Sequence, residues 1–391
     1  MKNSSKTVAL IIILVFIVGA VAILRSGLYK GIRPALVSDS ETQRSIDDLQ
    51  KKLADNLSLG SRQPEAEPHQ EGSFLIHGSF DLELFSRDVV NPRVIIFDQD
   101  KNVLVSEPSE GRVSRYDQNG KRQTVVSNLN RPHGLAIKDE NLLIAETGQV
   151  IQYDYDNGQA NNPRVILDLP TGGRHWTRTL GVGPDGNLYI SIGSSCNICI
   201  EDDWRRDKIL QYNFETQQLN TYASGLRNAV FFAWHPETDA MWATEMGRDW
   251  LGDDLPPDEV NIIKEGGDYG FPYCYGKNIV DPEFSNPPNC EDKIPAFIDL
   301  FAHEAPLGID FFKGQPVIAM HGSWNRAEPI GYEVVRYTGD EYQTRETLVS
   351  GWLQPDGNSI GRPAGILADT ESGHIYITDD SANVIYRLVE R

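Results

Sequence analysis

The chain has 391 residues, with 36 Lys and Arg against 56 Asp and Glu, for a formal charge of −20. Hydrophobic residues make up 40% and charged residues 24%, which excludes a disordered or collagen-like chain. The acidic balance also argues against nucleic acid or an anionic lipid surface as the main partner, since both repel it.

Val8–Leu24 is an unbroken apolar run of 17 residues, preceded by Lys2 and Lys6 and followed by Arg25, Lys30 and Arg33. It is just long enough to cross a bilayer. Ala20-Val21-Ala22 also resembles a signal-peptide cleavage site. The run continues past that site to Arg25, which favours an uncleaved anchor, and residues 1–33 are assigned as anchor or signal segment. The expected location is the cell membrane, with the bulk of the chain extracytoplasmic, or secretion after cleavage. Residues 34–71 read as a polar linker in which Ile46, Leu49, Leu53 and Leu57 predict a short amphipathic helix.

From residue 72 the period changes to short apolar strands broken by Gly, Asp, Asn and Pro. One unit recurs: strand, tight turn, strand, loop, strand ending in an aromatic. Its copies span 93–117, 133–154, 178–213, 228–266, 307–337 and 364–388. Six copies predict an all-β, six-bladed β-propeller over residues 72–391. The last copy ends after three strands. Phe80–Ser86 alternates in polarity and is predicted to supply its missing outer strand, joining the chain ends and removing a sheet edge. A β-sandwich with chance repeats is the competing architecture.

In a propeller the first strands run the same way, so the residues before them converge on one mouth. Those positions hold Arg131-Pro132-His133, His175, Arg227-Asn228 and Arg362. Cationic donors gathered there in an acidic protein predict an anionic ligand. His175 suits a general base, with Trp176 beside it as an aromatic wall. Arg227 and Asn228 suit a carbonyl oxygen that gains negative charge. Ala243–Gly276 is rich in Gly, Asp and Pro and suits a hard cation such as Ca²⁺, without EF-hand spacing. Cys196-Asn197-Ile198-Cys199 and the pair Cys274 and Cys290 fit a zinc site in principle; beyond a membrane, disulfides 196–199 and 274–290 are favoured.

At these motifs the sequence resembles the glucose/sorbosone dehydrogenase family, six-bladed quinoprotein oxidoreductases that use pyrroloquinoline quinone (PQQ) and Ca²⁺. The resemblance covers about residues 90–391 and is densest at 175–193, 225–276, His321–Arg326 (HGSWNR) and Gly361–Ile366 (GRPAGI). It implies His175 as the base for a sugar hydroxyl. It implies Arg227 and Asn228 as quinone contacts, Arg362 as the partner of a PQQ carboxylate, and the carbonyls of Gly247 and Arg248 as Ca²⁺ ligands. His133 falls near a substrate-side position. Asn325 and Arg326 stand where some members carry Lys-Arg. Val230-Phe231-Phe232 replaces a Gly-containing stretch, and Ser194-Ser195 an acidic substrate contact, so glucose itself is not implied. The implied activity is oxidation of an aldose or sorbosone-like sugar, with electrons passed on to an acceptor that the sequence does not identify. Two rivals are a Ca²⁺-dependent hydrolase or lactonase, centred on carboxylates such as Glu107, Glu146 and Glu245, and a non-catalytic propeller that binds glycan or protein. The three glutamates are expected to bond neighbouring blades instead.

Overall fold

In the computed structural model, residues 69–391 are described. Six sheets form there, antiparallel except for one short parallel pairing of Ala223-Ser224 with Gly267-Asp268, with a small separate hairpin at Cys274–Tyr275 and Ile279–Val280. The first strands of the six sheets are Ile95–Phe97, Leu135–Lys138, Leu180–Val182, Ala229–Trp234, Pro306–Phe312 and Pro363–Asp369. Each sheet touches the next near the axis, the third through Leu188–Ile192 against Ala229–Trp234 and the others through their first strands, and the sixth touches the first, so the ring closes. The second strands are sandwiched between neighbouring blades. Val103–Glu107, Leu188–Ile192 and Met241–Glu245 are buried at every residue, which explains their mainly apolar character; the polar exceptions cluster toward their ends. The outer strands meet solvent and are correspondingly polar, as in Gln159–Asp168.

Glycine brings the inner strands together near the axis. A Cβ on Gly134 would lie 2.2 Å from the Arg178 carbonyl oxygen of the third blade, and one on Gly365 would lie 2.3 Å from the Arg93 carbonyl oxygen of the first. No side chain fits either gap.

Phe80–Ser86 closes the last blade as the sequence predicts. It pairs antiparallel with Val384–Glu390, with Leu82 opposite Leu388. Phe80 is fully buried against Phe312 of the fifth blade. The N-terminal boundary differs from the sequence expectation. His69–Glu71 is a strand, paired with Phe74–Ile76, and this hairpin extends the fifth blade through Leu75 opposite Ser350. His69–Glu71 is a mostly exposed edge strand without apolar alternation, so it reads as linker. The anchor segment 1–33 and most of the linker, with its expected helix, lie outside the described residues. Among the described residues no helix is long and apolar enough to cross a membrane. Both disulfides form, Cys196–Cys199 and Cys274–Cys290, with Cα separations of 6.2 and 5.8 Å.

The closing strand generates a stability prediction. A chain starting at residue 69 should melt cooperatively. One starting at residue 87 loses the buried Phe80 and Phe85, at a cost of about 3 kcal/mol or more, and bares a sheet edge. Thermal melts of the two checks this; equal midpoints would contradict the closure.

Candidate active site

The loops that lead into the first strands are tied down by acidic residues at the ends of the second strands. Glu107 accepts the Val90 N–H at 2.7 Å, Glu146 the Asn130 N–H at 2.6 Å, Glu245 the Asn228 N–H at 3.0 Å and Asp379 the Arg362 N–H at 2.8 Å. These bonds stay at each blade's own leading loop, so the expectation that Glu107, Glu146 and Glu245 bond neighbouring blades is corrected. The third and fifth blades end this strand in Ile192 and Met320, and a histidine stands near each place.

In the third blade that histidine is His175. Its Nδ1 lies 2.7 Å from the Ser194 carbonyl oxygen. A carbonyl only accepts, so Nδ1 carries the proton and Nε2 keeps its lone pair. Burial and the neighbouring Arg227 charge bring its pKa down to about 3, so the imidazole is neutral across the physiological range. The Ser194 N–H in turn donates to the Arg227 carbonyl at 2.7 Å. A Cβ on Gly193 would touch the Asn228 Oδ1 at 2.5 Å and the His175 Cβ at 2.7 Å. His175, Arg227 and Asn228 therefore meet around the Gly193-Ser194 turn.

Arg227 is 5% exposed. Its Nε donates to the Asn197 carbonyl at 2.8 Å, Nη2 to the Asn197 Oδ1 at 2.9 Å and Nη1 to the Met246 carbonyl at 3.2 Å, with Asp249 at 3.6 Å. Burial pulls its pKa down, and Asp249 opposes that. Nη2 faces Asp249 with its second N–H, while Nη1 keeps one N–H without an acceptor among the described residues.

Arg362 is oriented mainly by carbonyls. Nε donates to the His321 carbonyl at 2.9 Å and Nη2 to the Gly322 carbonyl, and the guanidinium sits 5.3 Å from the Tyr332 ring centre. Its Nη1 has no acceptor among the described residues. Beside it, Asp380 takes Arg93 at 2.6 Å and the His321 Nε2 at 3.0 Å. Burial pushes the Asp380 carboxyl up, but the bond from His321 and the Arg93 charge hold it low and ionised. Arg93 also faces His133, whose ring meets Trp176 edge-on at 5.4 Å and Phe231 at 5.5 Å. Arg131 lies over the Trp176 face at 4.1 Å. A continuous belt thus runs from His175 through Trp176, His133 and Arg93 to Arg362. His133 is fully buried, and neither ring nitrogen reaches hydrogen-bond geometry, even with the Arg178 carbonyl near. Burial, chiefly, holds it neutral.

On the opposite side, the Gly247 N–H donates to Asp258 at 2.8 Å. The Arg248 side chain turns away to Asp281 at 2.9 Å. The carbonyls of Gly247 and Arg248 accept no hydrogen bond among the described residues, and adjacent unpaired carbonyl oxygens fit a hard cation. Asp258 is pushed up to about 8 by burial. Asn325 is 1% exposed with both amide atoms unpartnered, a costly arrangement unless a ligand meets them. Arg326 instead directs its guanidinium to the Asp253 carbonyl and to Asp254 at 3.4 Å, so its side chain is committed to the fourth-blade loop.

The donor set fits a polyanionic carbonyl compound with a bridging cation: unfilled N–H groups on Arg227 and Arg362, the Asn325 amide, and two bare carbonyls. Sequence reasoning missed Arg93, His321, Asp380, Asn197, Asp249 and Asp258. Arg93 was findable, because it precedes the first strand as His133 and Arg362 do.

A family model described as TrAA12-like matches residues 76–391. An uncharacterized protein of Borreliella burgdorferi is 32% identical over 346 residues, 80% of this chain and 90% of that protein. The pyrroloquinoline quinone-dependent sugar dehydrogenase of Hypocrea jecorina is 27% identical over 243 residues, 50% of this chain and 56% of that one. This chain thus spans about half the length of that curated dehydrogenase. The holo PQQ domain of Coprinopsis cinerea pyranose dehydrogenase superposes with a TM-score of 0.71 at 20% identity, over 84% of this chain and 99% of that one, a likeness of fold. The chain belongs to the TrAA12-like family of pyrroloquinoline quinone-dependent sugar dehydrogenases.

Proposed function

We propose that this protein oxidises a sugar, an aldose or a sorbosone-like compound, with PQQ as hydride acceptor and Ca²⁺ as its partner ion. The observation that carries the reading is the neutral His175, with its Nε2 lone pair retained, beside the buried Arg227 whose terminal N–H groups are incompletely used.

Arg362, Arg227, Asn228 and Asn325 would hold the quinone, and the Gly247 and Arg248 carbonyls the cation. When bound, the pair supplies an electrophilic carbonyl that accepts hydride. The remaining work belongs to the chain's own groups. His175 Nε2 takes the proton of the sugar hydroxyl as the adjacent C–H bond is broken. Its Nδ1–H stays on the Ser194 carbonyl, which fixes the ring and its tautomer. Arg227 places positive charge where oxygen becomes negative, in a site whose burial strengthens the interaction. Trp176, locked between Arg131 and His133, offers a flat apolar wall for a sugar face.

Of the carboxylates on which the hydrolase alternative centres, Glu245 keeps one buried oxygen unpartnered, but burial and the neighbouring Glu259 push its carboxyl up, away from the ionised form a cation needs. Both oxygens of Glu107 and of Glu146 are bonded, to Val90, Arg112 and Ser114 and to Asn130 and Gln149 respectively. The apolar run Val8–Leu24 is proposed as an uncleaved anchor, with the propeller extracytoplasmic. Two disulfides are consistent with such an oxidising compartment. An anchor would hold the enzyme beside a membrane-borne electron acceptor.

Dye reduction by the full-length protein with aldoses should require both PQQ and Ca²⁺. His175→Ala should lower the rate by about a hundredfold or more. Ester or lactone cleavage without PQQ would overturn the reading. Arg362→Gln should raise the PQQ concentration for half-saturation by about tenfold while leaving the sugar KM unchanged. A changed sugar KM with unaltered PQQ loading would place Arg362 on the substrate instead.

A further inference from the structure

The short disulfide loop Cys196–Cys199 has no part in the propeller's strand pattern, yet it bonds directly to the site. Asn197 lies at its centre. Its carbonyl takes the Arg227 Nε–H at 2.8 Å, and its Oδ1 takes Arg227 Nη2 at 2.9 Å. The same Oδ1 accepts the Asp249 N–H at 2.8 Å, while Nδ2 donates to the Asp249 carbonyl at 2.9 Å. The amide therefore closes a two-way pair with the backbone N–H and C=O of one residue, Asp249, in the loop that carries the Gly247 and Arg248 carbonyls. Just before it, Ser194 Oγ donates to the Cys196 carbonyl at 2.8 Å and sits 3.2 Å from His175 Nδ1. The Ser195 N–H donates to Glu201 at 2.5 Å.

We propose that Asn197 is a positioning residue, held in place by the Cys196–Cys199 disulfide, that sets the Arg227 guanidinium and the 247–249 carbonyl loop relative to His175. A free loop of this length would sample many conformations; closing it with a disulfide restricts them. A side-chain amide is the group that offers one acceptor to an arginine and a donor–acceptor pair to one residue's backbone at once. The chemistry at risk is orientation. Arg227 would keep its charge without Asn197, but no longer its direction. Reduction of the disulfide, which takes up two electrons and two protons from an added dithiol, would loosen the backbone carbonyl as well.

The inference rests on the proposed role of Arg227, and its test does not need that role to be correct. Carbethoxylation of His175, followed on its peptide by mass spectrometry across pH 3–8 with no cofactor added, reports when the imidazole is neutral. The charges facing it are Arg227, Arg174 and Arg178, with Asp249 paired to the first two. Burial and Arg227 keep His175 neutral well into acid, so wild-type labelling should persist below pH 5. In Asn197→Ala a released Arg227 and better-hydrated ring should raise the labelling midpoint by about one unit. The Cys196→Ala/Cys199→Ala variant should raise it at least as far, with an unchanged melting midpoint excluding general unfolding. In the loaded enzyme, kcat should fall by about tenfold while the sugar KM holds. A labelling midpoint unmoved in both variants overturns the assignment, whatever the dye assay shows. Shifted labelling with no dye reduction in wild type would instead retain the clamp and reject the enzymatic reading.

Discussion

Everything at the mouth of this propeller follows from keeping positive charge out of water in a protein that is negative overall. Arg227 and Arg362 are aimed chiefly by backbone carbonyls, which fix direction without cancelling charge. Asp249 lies 3.6 Å from Arg227, but the other carboxylates at the mouth are occupied elsewhere. Glu107, Glu146, Glu245 and Asp379 grip the N–H groups of the leading loops, and Asp380 is shared between Arg93 and His321. The result is a rim with unused donors facing inward, an arrangement that an anionic ligand completes.

The same frame explains why His175 can act as a base. A histidine beside arginines and under partial burial loses its affinity for a proton. Such a group is neutral across the physiological range, and its proton-bearing nitrogen is fixed by the Ser194 carbonyl. The third blade has Ile192 where four of the other blades place a carboxylate. A carboxylate at that point would raise the proton affinity of the ring and favour the imidazolium, which has no lone pair left to take a proton. The repeat is thus broken where chemistry needs it broken.

Much of the fold was legible because its signals are local. Period-two strands, turn residues and an orphaned strand at Phe80–Ser86 defined both the blade count and the closure. The hairpin at His69–Ile76 was not legible, since its first strand is exposed and polar and gains its place by pairing with the edge of the fifth blade. At the site, repeat position revealed His133, Arg227 and Arg362. Spacing did not reveal that Arg326 bonds to Asp253 and Asp254. Nor could it reveal Asn197, whose partners Arg227 and Asp249 lie 30 and 52 residues away and meet it only after the blades assemble. Contacts between loops of different blades carry no sequence period.

The central claim is that incompletely paired cations and bare carbonyls at one mouth hold a carboxylate-rich quinone through a divalent ion. Calorimetric titration of the full-length protein with PQQ, at several salt concentrations and with Ca²⁺ or a chelator, tests it most directly. The account predicts saturable binding at one site per chain, weakened by salt and lost on chelation. Absence of binding, or binding indifferent to both salt and Ca²⁺, would contradict it.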